Sequence, residues 1–171
     1  MQEIFLETPC GKVRGMEQEE GIVFRGIPYA KTPRFQKPVE VTTWEGTMDA
    51  TKTAPACCQQ ASFSDDSDSF YYKEFRSGKT FTYEEDTMYL NIVTPKNAKD
   101  CPVLVFIHGG GHENGKIEEE PFGMTTAYAK HDIILVTIGY RLNVFSLYKS
   151  KNLGLFDMAC AFLWVYHNIG A

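Results

Sequence analysis

Apolar runs alternate with polar, glycine-containing segments along this chain, and the runs predict its strands. Residues 103–107 and 133–138 are almost entirely aliphatic or aromatic and carry no charge. Runs of this kind are typical of strands that are buried on both faces, as in a parallel sheet. Residues 88–94 predict a third strand, which Pro95 ends.

The first thirty residues show a different pattern. Residues 4–8, 11–16 and 21–27 are short extended runs, separated by glycines and by Pro9. Short runs punctuated in this way predict antiparallel strands joined by tight turns. We therefore expect a small N-terminal meander ahead of the main sheet.

Two helical segments are predicted in the second half of the chain. Residues 122–130 have apolar positions at Phe122, Ala127 and Ala129, and they lie between two predicted strands. A strand, helix, strand order predicts a parallel strand pair with a right-handed crossover. Residues 158–169 predict a helix buried against the sheet, with Asp157 as its N-cap, after a loop at 143–156. The fold class expected from these elements is α/β.

Composition narrows the possible partners. The chain has 171 residues, 43% of them apolar and 23% charged, with a net charge of −5 and no basic cluster in the sequence. A single globular domain is expected, without a nucleic-acid partner. No apolar run is long enough to cross a membrane, so no membrane partner is expected, and the N-terminus lacks the features of a secretory signal, so the expected location is cytoplasmic.

The cysteines and histidines do not form a recognisable site. Five cysteines stand at irregular spacings without a CxxC pair, which favours free reduced thiols over a zinc site or a disulfide framework. His108 and His112 are four residues apart, but on a glycine loop, which is a poor arrangement for metal ligation. No metal and no cofactor are expected.

Three consecutive glycines follow the predicted strand at residues 103–107. The sequence His108-Gly109-Gly110-Gly111 matches the HGGG pattern of oxyanion-hole loops in lipases and esterases, in which backbone amides face the reacting carbonyl. An ordinary glycine turn and a phosphate-binding loop are the alternatives. The phosphate loop is disfavoured because neither a following Lys-Ser/Thr pair nor a G-x-G-x-x-G frame is present.

The other parts of an acyl-transfer site are not found in the sequence. No serine lies within a G-x-S-x-G elbow, and Cys160 is placed inside an apolar helix, where a thiol is inert. His131 and His167 fall at a helix end and on a helix, and neither is a convincing general base. The aromatic residues at 70–75 either form the rim of an apolar substrate pocket or anchor a long loop to the body.

Several motifs together resemble type-B carboxylesterases, the α/β-hydrolase family that includes para-nitrobenzyl esterases and cholinesterases. They cover the whole chain in the family's order, and they are Gly11-Lys-Val-Arg-Gly15, Phe24-Arg-Gly-Ile-Pro-Tyr-Ala30, Trp44-Glu-Gly46, Glu85-Asp-Thr-Met-Tyr-Leu-Asn-Ile92, His108-Gly-Gly-Gly111, Leu135-Val-Thr-Ile-Gly-Tyr-Arg-Leu142 and Asn152-Leu-Gly-Leu-Phe-Asp157.

The resemblance implies that residues 1–171 are the N-terminal portion of a single type-B carboxylesterase domain. The implied fold is an incomplete α/β-hydrolase fold, with a small antiparallel N-terminal meander followed by a central, mostly parallel sheet. By the same resemblance, the amides of Gly110 and Gly111 form the oxyanion hole together with an amide that follows the nucleophile. The catalytic Ser, acid and His would lie beyond Ala171.

The resemblance also implies two structural ion pairs, Arg34 with Glu85 and Arg141 with Asp157. Thr87 stands where many family members have a cysteine that bridges to the position of Cys57, so this disulfide is expected to be missing.

Two functions remain open at this stage. The first is a carboxylic ester hydrolase, a serine esterase by resemblance, that acts on a small apolar ester. The second is a catalytically inactive truncated remnant or a non-enzymatic binding polypeptide. The chain alone is expected to be inactive, since residual oxyanion stabilisation without a nucleophile gives little turnover. The ester and the oligomeric state are not predicted.

Overall fold

The computed structural model describes residues 2–61, 65–118 and 125–171. The strands in these ranges are β1 (Gln2–Thr8), β2 (Gly11–Glu17), β3 (Ile22–Pro28), β4 (Ala30–Lys31), β5 (Val39–Glu40), β6 (Thr47–Asp49), β7 (Ala56–Cys57), β8 (Tyr83–Glu84), β9 (Tyr89–Thr94), β10 (Val103–Ile107), β11 (Ile134–Ile138), β12 (Leu147–Tyr148) and β13 (Lys151–Asn152). The helices are α1 (Asn143–Ser146) and α2 (Leu153–Asn168), with a π-helical turn at Tyr72–Arg76 and a 3-10 helix at Thr126–His131.

One mixed sheet organises the chain. Its strand order is β1-β2-β3-β9-β11-β10, and β6 pairs with β2. The predicted meander is confirmed, because β1, β2 and β3 pair antiparallel. The predicted parallel pair is also confirmed, with Val103 of β10 opposite Ile134 of β11. The α/β class holds, while β9 joins both β3 and β11 antiparallel, so the parallel character is limited in this region to β10 with β11.

Strand β11 lies at the centre of the packing and is buried along its whole length. On one face, Val136 belongs to the core cluster that also contains Ala161 and Trp164 of α2. On the other face, Leu135 packs with Ala129 of the 3-10 helix. The sheet is thus covered by helical elements on both sides, which explains why the run at 133–138 is almost wholly apolar.

Strand β10 is not buried on both faces, so that prediction was wrong. It is the last strand in the sheet order, and Val103 and Leu104 are 37% and 41% exposed. Its outer edge pairs with no strand among the described residues. A run of apolar residues indicates that the side chains of a strand are shielded from water. It does not indicate whether the element that shields them belongs to the same segment of chain.

This edge is expected to drive self-association of the 171-residue chain. The opposite edge strand, β1, carries the charged residues Glu3 and Glu7, whereas β10 has none. Charges on an edge strand oppose edge-to-edge pairing. Leu104→Lys should therefore shift the chain from large species to monomer in analytical ultracentrifugation, while Gln2→Lys in β1 should change nothing. A wild-type chain that sediments as a monomer at the same concentration would contradict the expectation.

The long helix begins earlier than predicted, which corrects the assignment of its cap. Asn152 is the N-cap, and its side chain accepts a hydrogen bond from the Leu155 amide at 3.2 Å. Asp157 lies inside α2 and is fully buried. The segment predicted as a loop at 143–156 contains α1, the β12–β13 hairpin and the first turn of α2. An aspartate before an apolar run resembles a cap in sequence, but here it is part of a buried ion pair.

Residues 62–64 and 119–124 lie outside the described residues, and the second range includes Phe122 and the start of the predicted helix at 122–130. The described part, Thr126–His131, is a 3-10 helix whose N-cap Thr125 accepts a hydrogen bond from the Ala127 amide. No described helix is long and apolar enough to cross a membrane.

Candidate functional site

The glycine loop leaves the end of β10 and turns back immediately. The Gly110 carbonyl accepts hydrogen bonds from the amides of Glu113 at 3.0 Å and Asn114 at 3.2 Å. Gly110 has φ +108°, and a Cβ placed on it would lie 1.9 Å from the Asn114 carbonyl oxygen. This tight turn therefore requires glycine at residue 110.

The amides of Gly110 and Gly111 are left available on the outside of this turn. Both residues are exposed, and within the described residues neither amide donates a hydrogen bond. Gly111 has φ +64° and open space around its Cα. Two unpaired backbone donors, one residue apart at a strand end, can bind a developing negative charge.

His108 fixes the start of the loop. Its ring stacks on Tyr140 with centroids 4.5 Å apart, and the Tyr140 hydroxyl donates to the His108 carbonyl at 2.9 Å. His108 Nδ1 donates to the Gly109 carbonyl at 2.9 Å. Burial lowers the pKa of His108 from 6.5 to about 4, so the ring is neutral at pH 7 and supports the backbone without adding charge.

A second set of hydrogen bonds holds the end of the loop. The Gly115 amide donates to Gln59 Oε1 at 2.9 Å, and Gln59 Nε2 donates to the Gly115 carbonyl at 2.8 Å. Between these anchors, the His112 carbonyl accepts a hydrogen bond from the Asn143 amide at 2.7 Å. The loop is thus attached to the body at both ends and in the middle, which preorganises its free amides.

The burial of His108 should make stability depend on pH. Between pH 6.5 and 4 the unfolded chain binds a proton at this residue and the folded chain does not, so the free energy of unfolding should fall as pH falls. The slope from this group is up to about 1.4 kcal/mol per pH unit. In urea unfolding at several pH values, His108→Gln should flatten the decline, whereas the exposed control His131→Gln should not. Equal slopes in all three proteins would contradict the assignment.

A polar cavity of about 600 Å³ lies beside the loop. Its lining includes Gln60, Glu113, Asn114, Asn143 and Phe145. The predicted aromatic cluster at 70–75 does not contribute to this lining. Phe70 is 77% exposed, and the Tyr71 and Phe75 rings contact each other at 5.2 Å. The aromatic residues are therefore not placed at a pocket beside the glycine loop.

Both predicted ion pairs are present, and they differ in burial. Arg34 binds Glu85 through Nε and Nη2 on the surface, with the arginine side chain 64% exposed. Arg141 binds Asp157 through Nε at 2.8 Å and Nη2 at 2.6 Å, and both side chains are almost completely buried. The Arg141 Nη1 also donates to the Gln36 carbonyl at 2.9 Å. These pairs position the loops around the site.

Three further side chains with nucleophilic atoms have structural roles, and they are those of Cys57, Cys160 and Ser146. Cys57 is a free thiol whose Sγ accepts from the Leu142 amide, and burial raises its pKa to about 11. Burial also raises the pKa of Cys160 to about 11, which leaves it unreactive. The Ser146 hydroxyl is buried and accepts from the Gly154 amide. The described residues contain no cluster of His, Cys, Asp or Glu that could hold a metal ion.

Sequence reasoning found Gly110 and Gly111 but missed the residues that support them. Gln59 and Tyr140 hold the loop from other segments of the chain, and Asn114, three residues after Gly111, closes the turn through its backbone amide. None of these contacts is visible as a side-chain motif beside the glycines. The available signal was weak and consisted of a polar amide next to the vicinal cysteines Cys57 and Cys58.

The chain is similar to known esterases over nearly its whole length. Gut esterase 1 of Caenorhabditis elegans is 36% identical over 175 residues, which are 96% of this chain and 29% of that protein. The para-nitrobenzyl esterase of Bacillus subtilis (strain 168) is 35% identical over 177 residues, which are 96% of this chain and 34% of that protein. The structure of a thermophilic PNB esterase superposes with a TM-score of 0.82 at 33% identity, covering 98% of this chain and 35% of that one.

The chain spans about a third of the length of these relatives and corresponds to their N-terminal part. Para-nitrobenzyl esterases are α/β-hydrolases, which agrees with the mixed sheet and its helical layers. The model of the carboxylesterase family matches residues 2–171. The chain therefore belongs to the carboxylesterase family.

Proposed function

We propose that this chain supplies the oxyanion-hole loop of a carboxylic ester hydrolase that acts on small esters with an apolar acyl or alcohol group. The observation that carries the proposal is the pair of exposed amides at Gly110 and Gly111, which have no hydrogen-bond acceptor in the described part of the chain and follow a turn that requires glycine at residue 110. Family membership supports the reaction class.

The chemistry follows from where charge develops. A serine alkoxide attacks the ester carbonyl, and the carbonyl oxygen becomes an oxyanion. The amides of Gly110 and Gly111 donate hydrogen bonds to this oxygen, and a third amide follows the nucleophile in the relatives' arrangement. Collapse of the tetrahedral intermediate breaks the ester C–O bond, and the leaving oxygen takes up the proton removed from the serine and departs as the alcohol. Water then hydrolyses the acyl-serine to the carboxylic acid and free serine. The neutral His108 ring and the Gln59 clamp hold the donors in place before the reaction begins.

The test compares two polypeptides. One is the 171-residue chain, and the other is a chimera in which this chain replaces the matching segment of the Bacillus subtilis para-nitrobenzyl esterase. The chain alone should not react with a fluorophosphonate probe, because it contributes donors without a nucleophile. The chimera should react stoichiometrically and hydrolyse para-nitrobenzyl esters.

A matched chimera with its nucleophilic serine replaced by alanine is the control for both readouts. Cooperative thermal unfolding establishes that each chimera is folded. A folded chimera without activity would favour the alternative of a non-catalytic polypeptide, and stoichiometric labelling of the chain alone would overturn the division of roles.

A further inference from the structure

Two distant segments form a single exposed surface, which we name the basic hairpin surface. It consists of residues 30–40, which include β4 and β5, and residues 143–156, which include α1, the β12–β13 hairpin and the first turn of α2. The Phe35 ring stacks on Tyr148 with centroids 3.9 Å apart and planes within 10° of each other. Arg141, two residues before the second segment, donates a hydrogen bond to the Gln36 carbonyl in the first segment.

The charge of this surface is opposite to that of the molecule. The two segments carry five of the 17 basic residues and one of the 22 acidic residues. That acidic residue, Glu40, is bonded to His167, and the basic Arg34 is paired with Glu85. The other four basic residues are exposed and form no ion pair within the described residues; they are Lys31, Lys37, Lys149 and Lys151.

Large apolar side chains lie among these lysines. The exposed ones are Val39, Val144, Leu147, Leu155 and Phe156. The lysines contact aromatic rings directly, since Lys37 Nζ lies 4.4 Å from the Phe156 centroid and Lys149 Nζ lies 5.3 Å from the Tyr148 centroid. The cationic and apolar groups therefore occupy the same surface and are not separated into two regions.

We propose that the basic hairpin surface binds the anionic surface of a lipid bilayer. Lysines near the bilayer are attracted to anionic headgroups, and aliphatic and aromatic side chains beside them enter the boundary between headgroups and acyl chains. A soluble acidic polypeptide would satisfy the lysines but would leave the exposed leucines and Phe156 in water. Binding of this kind lies parallel to the bilayer and needs no spanning helix, so it goes beyond the expectation drawn from the lengths of apolar runs.

The inference does not depend on ester hydrolysis and is tested with the 171-residue chain itself. The soluble fraction after ultracentrifugation is mixed with phosphatidylcholine vesicles that contain about one third phosphatidylserine, and vesicle flotation measures the bound fraction. Pure phosphatidylcholine vesicles form the second arm. Binding is expected to the anionic vesicles alone and should be lost at about 0.5 M salt, where screening is strong.

Variants of the surface separate the contribution of the lysine charges from that of the apolar side chains. Lys149→Gln with Lys151→Gln should weaken binding about 25-fold, at roughly fivefold for each lysine. The matched control, Lys73→Gln with Lys99→Gln, removes the same charge elsewhere and should leave binding unchanged. Leu147→Ser should also weaken binding, whereas Phe70→Ser, at an exposed aromatic residue outside the surface, should not.

Three results would overturn the proposal. The first is equal binding to neutral and anionic vesicles, the second is equal loss in the two double-lysine variants, and the third is no binding at low salt. Competition by soluble polyglutamate as strong as that by vesicles of equal charge would assign the surface to an acidic polypeptide instead.

Discussion

The Asp157→Ala variant is expected to lose about 3–5 kcal/mol of stability, which is the largest effect of any single substitution predicted here. Asp157 accepts three hydrogen bonds from Arg141, from the backbone amide, Nε and Nη2. Both side chains are buried, so alanine leaves a guanidinium without its counter-charge away from water. The loss is measured as the shift in the midpoint of urea unfolding, followed by circular dichroism.

The surface ion pair provides the matched control. Arg34 and Glu85 form a bidentate pair of similar geometry, but water screens an exposed pair strongly, so Glu85→Ala should barely shift the midpoint. Replacing both members of the buried pair, as Arg141→Met with Asp157→Leu, should restore much of the stability lost in Asp157→Ala, because no unpaired charge remains. Equal shifts in Asp157→Ala and Glu85→Ala would contradict the structural role of burial.

The Gly110→Ala variant of the chimera is expected to lower kcat about 10²–10³-fold, as does the loss of one oxyanion donor in related chemistry. A methyl group at residue 110 collides with the Asn114 carbonyl, and the positive φ of residue 110 is unfavourable for alanine. The turn must shift, and the amides of Gly110 and Gly111 move with it. KM should change much less than kcat, because the lost hydrogen bonds form mainly in the transition state.

Alanine substitutions at the two neighbouring glycines should lower kcat less. Gly111→Ala should be milder, since its φ of +64° is accessible to alanine at a modest cost and its Cβ meets nothing within 4 Å. Gly109→Ala should retain nearly full activity, because residue 109 has open space and no positive φ. Gly109→Ala should melt near the wild-type temperature and Gly110→Ala should melt lower because its turn is strained, so kcat is compared at a temperature below all the transitions. An equal loss of kcat in Gly109→Ala and Gly110→Ala would show that the turn at residue 110 has no special role.

The fold was largely predictable where the pattern of apolar and polar residues shows directly which strands are buried. The meander and the parallel β10–β11 pair followed from short runs and from two apolar strands. The apolar pattern alone did not predict the exposure of β10, because the same pattern suits a central strand and an edge strand. Asp157 was misassigned as a cap for a related reason, since a carboxylate ahead of an apolar run suits a cap. The apolar pattern alone does not show the buried pair with Arg141, which the family resemblance implied and the structure confirms.

The site divides in the same way. The oxyanion-loop prediction rests on consecutive residues, so Gly110 and Gly111 could be selected from the sequence. Their catalytic role stays a prediction. Gln59 and Tyr140 contact the loop only through the tertiary fold. The basic hairpin surface is invisible in the sequence for a similar reason, because its two halves are about a hundred residues apart and each alone contains only a few lysines.

The Gln59 clamp has a consequence for the conditions under which the loop can form. Gln59 ties the segment after Cys57 to Gly115 by two hydrogen bonds, and the five cysteines are free thiols. Hydrogen bonds form and break without an oxidant, whereas a disulfide depends on the redox potential of the compartment. We therefore expect the shape of the glycine loop to be insensitive to thiol reductants.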